Sequence, residues 1–318
     1  MSSQPVVQIL NASVGALIER LQQRLFLSDD FAKLVLCPLL CRGHLLLEGP
    51  PGVGKTTLAK TLAQLVSGQF NRIQMTSDTV PADLVGVLRV HPGTREFEFR
   101  PGPLFGNCIL ADELNRSSSK TQSALLEAMA ESTVTVDGVT HKLPQPFFVV
   151  ATQNPFDSEG VFRLAESQLD RFTMFVEMTY PSPEVEEKIY RFDLQSAAQT
   201  PDARAVLSLD QLRAIIDKVD TSHVDPSLLG YVQKVLAIAR QDSTPGGEST
   251  LSVRAGVHWL QAARAMSVLN GRDYVVPKDL LDVAISVLAH RLTGGGHRTL
   301  KESRSLVESF LSRVPRPR

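Results

Sequence analysis

The sequence predicts an α/β domain built on a parallel sheet, followed by a domain made only of helices. Three observations carry that expectation. Short apolar runs alternate with helical segments as far as Tyr180, a glycine-rich loop joins the first run to a helix, and from "LSLDQLRAIIDKV" onward every periodic segment is helical.

A chain of 318 residues is long for a single hydrophobic core, so two packed units are expected. They are placed as N-terminal helices plus an α/β domain over 1–182, a connector over 183–204, and a helical domain over 205–318. The 33 Lys+Arg and 34 Asp+Glu nearly cancel, a net charge of −1 that argues against a dedicated nucleic-acid binder. Cys37, Cys41 and Cys108 form neither a CxxC pair nor an even disulfide framework, and read as buried thiols in a reducing compartment. "MSSQPVVQIL" lacks the charged and apolar regions of a signal peptide, and runs such as "FVVA" are too short to span a membrane. A cytoplasmic location is expected.

The elements follow in order. "VGALIERLQQRLFLSDDFAKLVLCPLLCRG" has apolar residues at helical spacing and predicts two helices. "HLLLE" (44–48), "NRIQM" (71–75), "NCILA" (107–111), "FFVVA" (147–151) and "TMFVEM" (173–178) predict buried strands, with helices at "KTTLAKTLAQLVSG" and "SKTQSALLEAMAES" between them. Pro181 and Pro183 open the polar connector helix. Helices are expected at 209–219, 226–241, 252–269 and 277–291, with Asp225-Pro226 and Pro277 as starts, Asn270-Gly271 as a stop, and "TPGGEST" (244–250) as a flexible joint. The tail 291–318 carries seven Lys/Arg against two Glu. A helix with Leu306, Val307, Phe310 and Leu311 on one stripe accounts for it without nucleic acid.

The chemistry starts at "LLLEGPPGVGKTT", which fits G-x-x-x-x-G-K-[ST] between a strand and a helix. Glycines let backbone N–H groups curl around phosphate oxygens, and the helix N-terminus adds its positive end. Gly49, Pro50, Pro51, Gly52, Val53, Gly54, Lys55, Thr56 and Thr57 are therefore expected to hold ATP, with Lys55 on the β- and γ-phosphates and the Thr56 hydroxyl on Mg²⁺. "CILADE" delivers Asp112 and Glu113 to the end of a buried strand, where adjacent carboxylates are costly without a cation. Asp112 is expected to hold Mg²⁺ and Glu113 to polarise the attacking water. "FFVVATQNP" brings Asn154 to the same sheet edge, within reach of that water or of the γ-phosphate; a turn-forming Asn before Pro155 is the plainer alternative.

These elements, in this order and ahead of an all-helical domain, resemble AAA+ ATPases. The stretches "MTSDTVPADLVG", "REFEFRPGPLFGNCILADELNRSSSKTQSALLEAMAE" and "ATQNPFDSEGVFRLAESQLDRF" are similar to the MoxR family, and the resemblance covers roughly 10–292. It implies that 76–105 is a β-containing insert projecting from a helix. It also implies that "STVTVDGVTHKL" (132–143), which alternates about Asp137-Gly138, is the hairpin preceding the strand that carries Asn154. Arg171, in "LDRF", matches the arginine finger that reaches a neighbour's γ-phosphate. Arg254 resembles the sensor-two arginine, although this chain has Ser252-Val253-Arg254 where the family more often has Ser-Pro-Arg. An arginine in a first helical turn opposes the helix dipole, so a phosphate role suits Arg254. Arg116 faces a subunit interface or makes a structural ion pair, and Arg163, where relatives often have Pro, receives no role.

The resemblance further implies ATP hydrolysis by a homo-oligomer, a hexameric ring, that remodels or activates a partner carrying a von Willebrand factor A domain. Little chain precedes the glycine-rich loop, so specificity is expected in the inserts or an adaptor. The motor subunit of a complex like magnesium chelatase is the alternative. A nucleic-acid motor ranks below it, because Arg89, Arg95, Arg100 and Lys142 are the inserts' cations and acids offset them.

Overall fold

The computed structural model describes residues 4–93, 95–154, 161–196, 205–242, 251–293 and 298–317. Two helices, α1 (Gln4–Leu25) and α2 (Asp29–Leu40), precede β1 (Leu45–Glu48) and α3 (Lys55–Gln64). Ser28 caps α2 by accepting a hydrogen bond from the Phe31 amide, which fixes the break between the first two helices. Next come β2 (Phe70–Gln74), α4 (Pro81–Val85), β3 (Gly86–Val90), β4 (Phe97–Pro101), β5 (Cys108–Asp112) and α5 (Ser119–Glu131). β6 (Thr133–Val136), β7 (Val139–Lys142), β8 (Phe148–Gln153), α6 (Glu166–Leu169), β9 (Met174–Glu177) and α7 (Pro183–Ser196) complete this half.

Five of the strands form one parallel sheet in the order β2-β5-β8-β1-β9. All five predicted runs are in it. Alternate residues of β1 face opposite layers, as a period of two requires. Leu45 and Leu47 pack with α1–α3 and with the helical domain, whereas Leu46 packs with Ile109, Val149 and α5. Burial on both faces explains why the strands read as continuous apolar runs rather than alternating ones.

Two small hairpins stand outside this sheet. The stretch 76–105 folds as α4 and an antiparallel β3–β4 pair. The β6–β7 hairpin turns at Asp137 (φ 48°) and Gly138 (φ 81°), the two positive φ values that a tight hairpin turn needs. Phe99 stacks on His141 with ring centroids 3.9 Å apart, joining the two hairpins. Phe97, at the start of β4, is 75% exposed.

The second half consists of α8 (Leu209–Thr221), α9 (Pro226–Gln241), α10 (Val253–Leu269), α11 (Pro277–Leu288) and α12 (Leu300–Arg313). The sequence expected the fourth of these to reach 291. Instead the chain tightens after Leu288 into a 3₁₀ turn over Ala289–Leu292, which aims His290 and Arg291 into the interior. Trp259 is fully buried and donates its indole N–H to the Leu280 carbonyl at 2.7 Å, tying α10 to α11. Val307 and Phe310 of α12 are buried, with Leu306 and Leu311 against the same core. The expected joint at 244–250 lies outside the described residues. No helix among the described residues is long and apolar enough to cross a membrane.

Candidate nucleotide site

Parallel strands bring their ends to common edges. Gly49, Asp112/Glu113 and Asn154 follow β1, β5 and β8 at the carboxyl edge of the sheet, where open α/β folds bind ligands. The loop after β1 needs its glycines: Gly52 (φ 83°) and Gly54 (φ 90°) are left-handed, and a Cβ on Gly49 would lie 2.2 Å from the Met178 carbonyl oxygen. Gly54 is the N-cap of α3 and has no side chain to cap it, so the first amides of that helix point into the loop. Lys55 Nζ donates to the carbonyls of Gly49 (2.5 Å) and Pro50 (2.8 Å), holding the ammonium inside the curl.

Asp112 is 5% exposed and accepts from Thr56, Thr152 and Arg72. Thr56 Oγ1 lies 3.2 Å from Oδ2 and Thr152 Oγ1 2.7 Å from Oδ1. A cation beside this buried carboxylate is supplied by Arg72, whose Nη2 is 2.7 Å from Oδ2. Arg72 comes from β2, where Gln74 is the residue in register with Asp112. The Thr152 hydroxyl does two jobs, since it also accepts the Glu113 amide at 2.9 Å. Glu113 adopts φ 59° there, which swings its carboxylate away from Asp112 toward Gln74 (2.9 Å) and Arg116 (3.3 Å). Arg116 thus makes the structural ion pair that was its alternative. The Asn154 carbonyl accepts from Asn115 at 3.3 Å.

Burial pushes the Glu48 carboxyl up to about 7; Glu177 adds to that rise, while Lys55 and Arg304 oppose it. A raised pKa lowers the negative charge that this carboxyl places beneath a loop built for phosphate. Beside the loop opens a cleft of about 710 Å³, walled by Phe26, Leu27, Phe31, Tyr180 and Ile189. Apolar and aromatic walls next to a phosphate loop suit a nucleoside base. Sequence reasoning missed these walls, because they come from the α1–α2 junction, from Tyr180 after β9 and from the expected connector. The signal available was Pro181-Ser-Pro183 ending a strand beside the glycine loop.

The remaining two arginines lie elsewhere. β9 runs parallel to β1 with Met174 opposite Leu45, so Arg171 precedes the amino edge of the sheet, opposite the edge that holds Gly49. Its Nη1 donates to the Leu126 carbonyl of α5 at 2.6 Å. Arg254 extends from the first turn of α10 to Asp170, 3.5 Å away, and its anion in this structure is that carboxylate. The structure therefore gathers Lys55, Thr56, Asp112, Glu113 and Asn154 at one edge and sets Arg171 at the other, with Arg254 joined through Asp170 to the same segment.

A phosphate loop on β1, an acidic pair on β5, a polar end on β8 and a helical lid define an AAA+ ATPase. A family model described as "ATPase family associated with various cellular activities (AAA)" matches residues 44–174, and an AAA lid domain model matches 247–310. The protein YeaC of Bacillus subtilis is 41% identical over 284 residues, 89% of this chain and 88% of its own. The chaperone MoxR1 of Mycobacterium tuberculosis is 41% identical over 83% of this chain and 71% of its own. A crystal structure of a Cytophaga hutchinsonii protein superimposes with a TM-score of 0.85 at 31% identity, covering 99% of this chain and 98% of that one. The chain belongs to the MoxR family of AAA+ ATPases, which bind and hydrolyse ATP.

Proposed function

We propose that this ATPase works as a ring, hexameric in the reading favoured by its family resemblance, and spends ATP on remodelling or activating a protein partner. The observation that carries the ring is the separation of charges across the sheet. Arg171 and Arg254 belong to the edge opposite their own chain's phosphate loop, and an arginine side chain cannot span a sheet of this width. A neighbouring subunit that presents its carboxyl edge to this face would receive both.

Within one subunit, the loop Gly49–Thr57 wraps the phosphates and Lys55 neutralises the β- and γ-oxygens. Thr56 and Asp112 are the residues that would hold Mg²⁺. A hydroxyl and a carboxylate side by side, with the other positions left to water and phosphate, fit that ion's preference for few protein ligands. Bound there, the metal would neutralise negative charge on the phosphates. Glu113, anchored through its amide to Thr152 but free of Asp112, accepts a proton from the attacking water, and Asn154 orients that water. Arg171, with Arg254 beside it, stabilises the charge on the neighbour's transferring phosphoryl group. Client engagement falls to the two joined hairpins, whose exposed Val87, Val90 and Phe97 are unusual on a soluble surface. A partner with a von Willebrand factor A domain is the choice that family resemblance supports.

A mixing assay tests the shared site. Glu113→Gln is expected to bind ATP with turnover reduced by about 10²-fold or more. Arg171→Ala is expected to bind ATP with turnover reduced by about 10³-fold. Mixtures should exceed the sum of their parts, because some interfaces then combine an intact Arg171 with an intact Glu113. Subunits that exchange without any such gain would remove the case for a shared site.

A further inference from the structure

We infer that Asp170 is a positioning residue: its carboxylate seats Arg254 while no triphosphate is engaged, and competes with that triphosphate for the arginine. The inference rests on the phosphate role proposed above for Arg254.

Asp170, 15% exposed in its side chain, receives three lid residues, and they are not equivalent. Arg291 is 1% exposed and donates Nε to Oδ1 at 2.8 Å. The same guanidinium is committed to the carbonyls of Asp170 (3.2 Å), Phe172 (2.6 Å) and Val287, and to His258 Nδ1 at 2.7 Å. His258 is the acceptor in that last bond. Burial, and then the charges of Arg291 and Arg254, hold its pKa down to about 3, so the ring is neutral. Arg291 cannot depart without stranding a buried charge, and it is a fixed partner.

Arg254 differs on each count. Its side chain is 53% exposed and it meets Asp170 through a single contact at 3.5 Å. Exposed pairs of this kind change an equilibrium constant by a factor of about five at most. When Arg254 leaves, Asp170 keeps Arg291 and Ser252, so no buried carboxylate is orphaned. Ser252 supplies the aim. Its hydroxyl donates to Asp170 at 3.0 Å and accepts the Ala255 amide at 3.1 Å, which fixes the first turn of α10 against the segment that carries Arg171. One carboxylate thus holds the lid permanently through Arg291 and Arg254 only loosely, next in sequence to the proposed finger.

The test uses the full-length chain under assembly conditions, titrated with AMP-PNP and with ADP. Asp170→Asn is expected to tighten AMP-PNP about two- to five-fold, the weight of an exposed ion pair, with ADP unchanged. On an Arg254→Ala background the same substitution should change neither. A purely structural Asp170 would instead shift both nucleotides, with or without Arg254, and that result overturns the inference. So does an unchanged or weakened AMP-PNP affinity in Asp170→Asn while Arg254→Ala weakens it. If Arg254→Ala alone leaves AMP-PNP affinity intact, the phosphate role of Arg254 fails first and the competition with it. Because Asp170→Asn deprives Arg291 of its counter-ion, Asp170→Asn/Arg291→Gln repeats the titrations with a neutral pair in the core.

Discussion

Asp112 at the carboxyl edge of the sheet and Asp170 near the amino edge are both shielded carboxylates crowded by donors, yet they are built for different work. Around Asp112 the donors are two short side chains, Thr56 from the first turn of α3 and Thr152 from the adjacent strand β8, with Arg72 reaching over from β2. Nothing there depends on the helical domain. Around Asp170 every side-chain donor described comes from that domain, 82 to 121 residues further along the chain. The first arrangement is rigid because neighbouring strands fix it. The second is only as stable as the contact between the two domains, which suits the subunit-facing role proposed for it. Preorganised groups belong where charge develops in the reaction, whereas exchangeable groups belong where assembly is sensed.

Removing the fixed cation at the amino edge should have the largest effect on stability. Arg291→Met leaves Asp170 with an exposed arginine and a hydroxyl, and breaking such a buried pair costs about 3–5 kcal/mol. Urea titration should show that loss; a loss below about 1 kcal/mol would make the two edges equivalent in strength.

Acid sharpens the contrast next. His44, just before β1 at the amino edge, is buried. Its Nε2 lies 3.1 Å from the Met129 carbonyl, and its Nδ1 accepts the Val149 amide, also at 3.1 Å. Burial pulls its pKa down to about 4 against the backbone bond to Met129, and His258 is pulled down to about 3. Because these folded values lie below the unfolded value of about 6.5, their stabilising contribution is full above that pH and declines as pH falls toward 4. Each such histidine weakens the fold by of order 2–3 kcal/mol across that window. A His44→Gln variant should show a shallower decline when melting temperature is followed from pH 7 to 4. An unchanged slope would mean that His44 is not the group responsible.

The smallest expected effect lies at the carboxyl edge. Thr152→Val keeps the shape but removes the hydroxyl shared by Asp112 and the Glu113 amide. A loss of about 1–3 kcal/mol in stability is expected, together with slower turnover at unchanged nucleotide affinity. A parallel fall in ATP affinity would show that Thr152 serves binding rather than the placement of Glu113.

How much of this was legible beforehand follows from the range of each interaction. The glycine loop, the acidic pair and Asn154 each sit within a few residues of the strand that aims them, so local pattern sufficed to place them at one edge of the sheet. Arg72 was hidden although it stands in plain view in "NRIQM", because its partnership with Asp112 depends on which strand lies beside β5. The aromatic walls at Phe26 and Tyr180 escaped for the same reason, since they meet only after the chain has closed. Arg254 stood out in the sequence as a charge in an awkward place, a helix start that disfavours it, but the carboxylate it meets could not be read from its own neighbourhood.

The sequence by itself determined the strand-and-helix alternation, the phosphate loop and the acidic strand end, because apolar period and backbone torsion are local properties of the chain. Tertiary structure alone decided that Arg171 and Arg254 stand at the edge opposite their own phosphate loop and that Asp170 joins them to the lid. Strand register and domain contact bring together residues far apart in the chain, and no local preference encodes them.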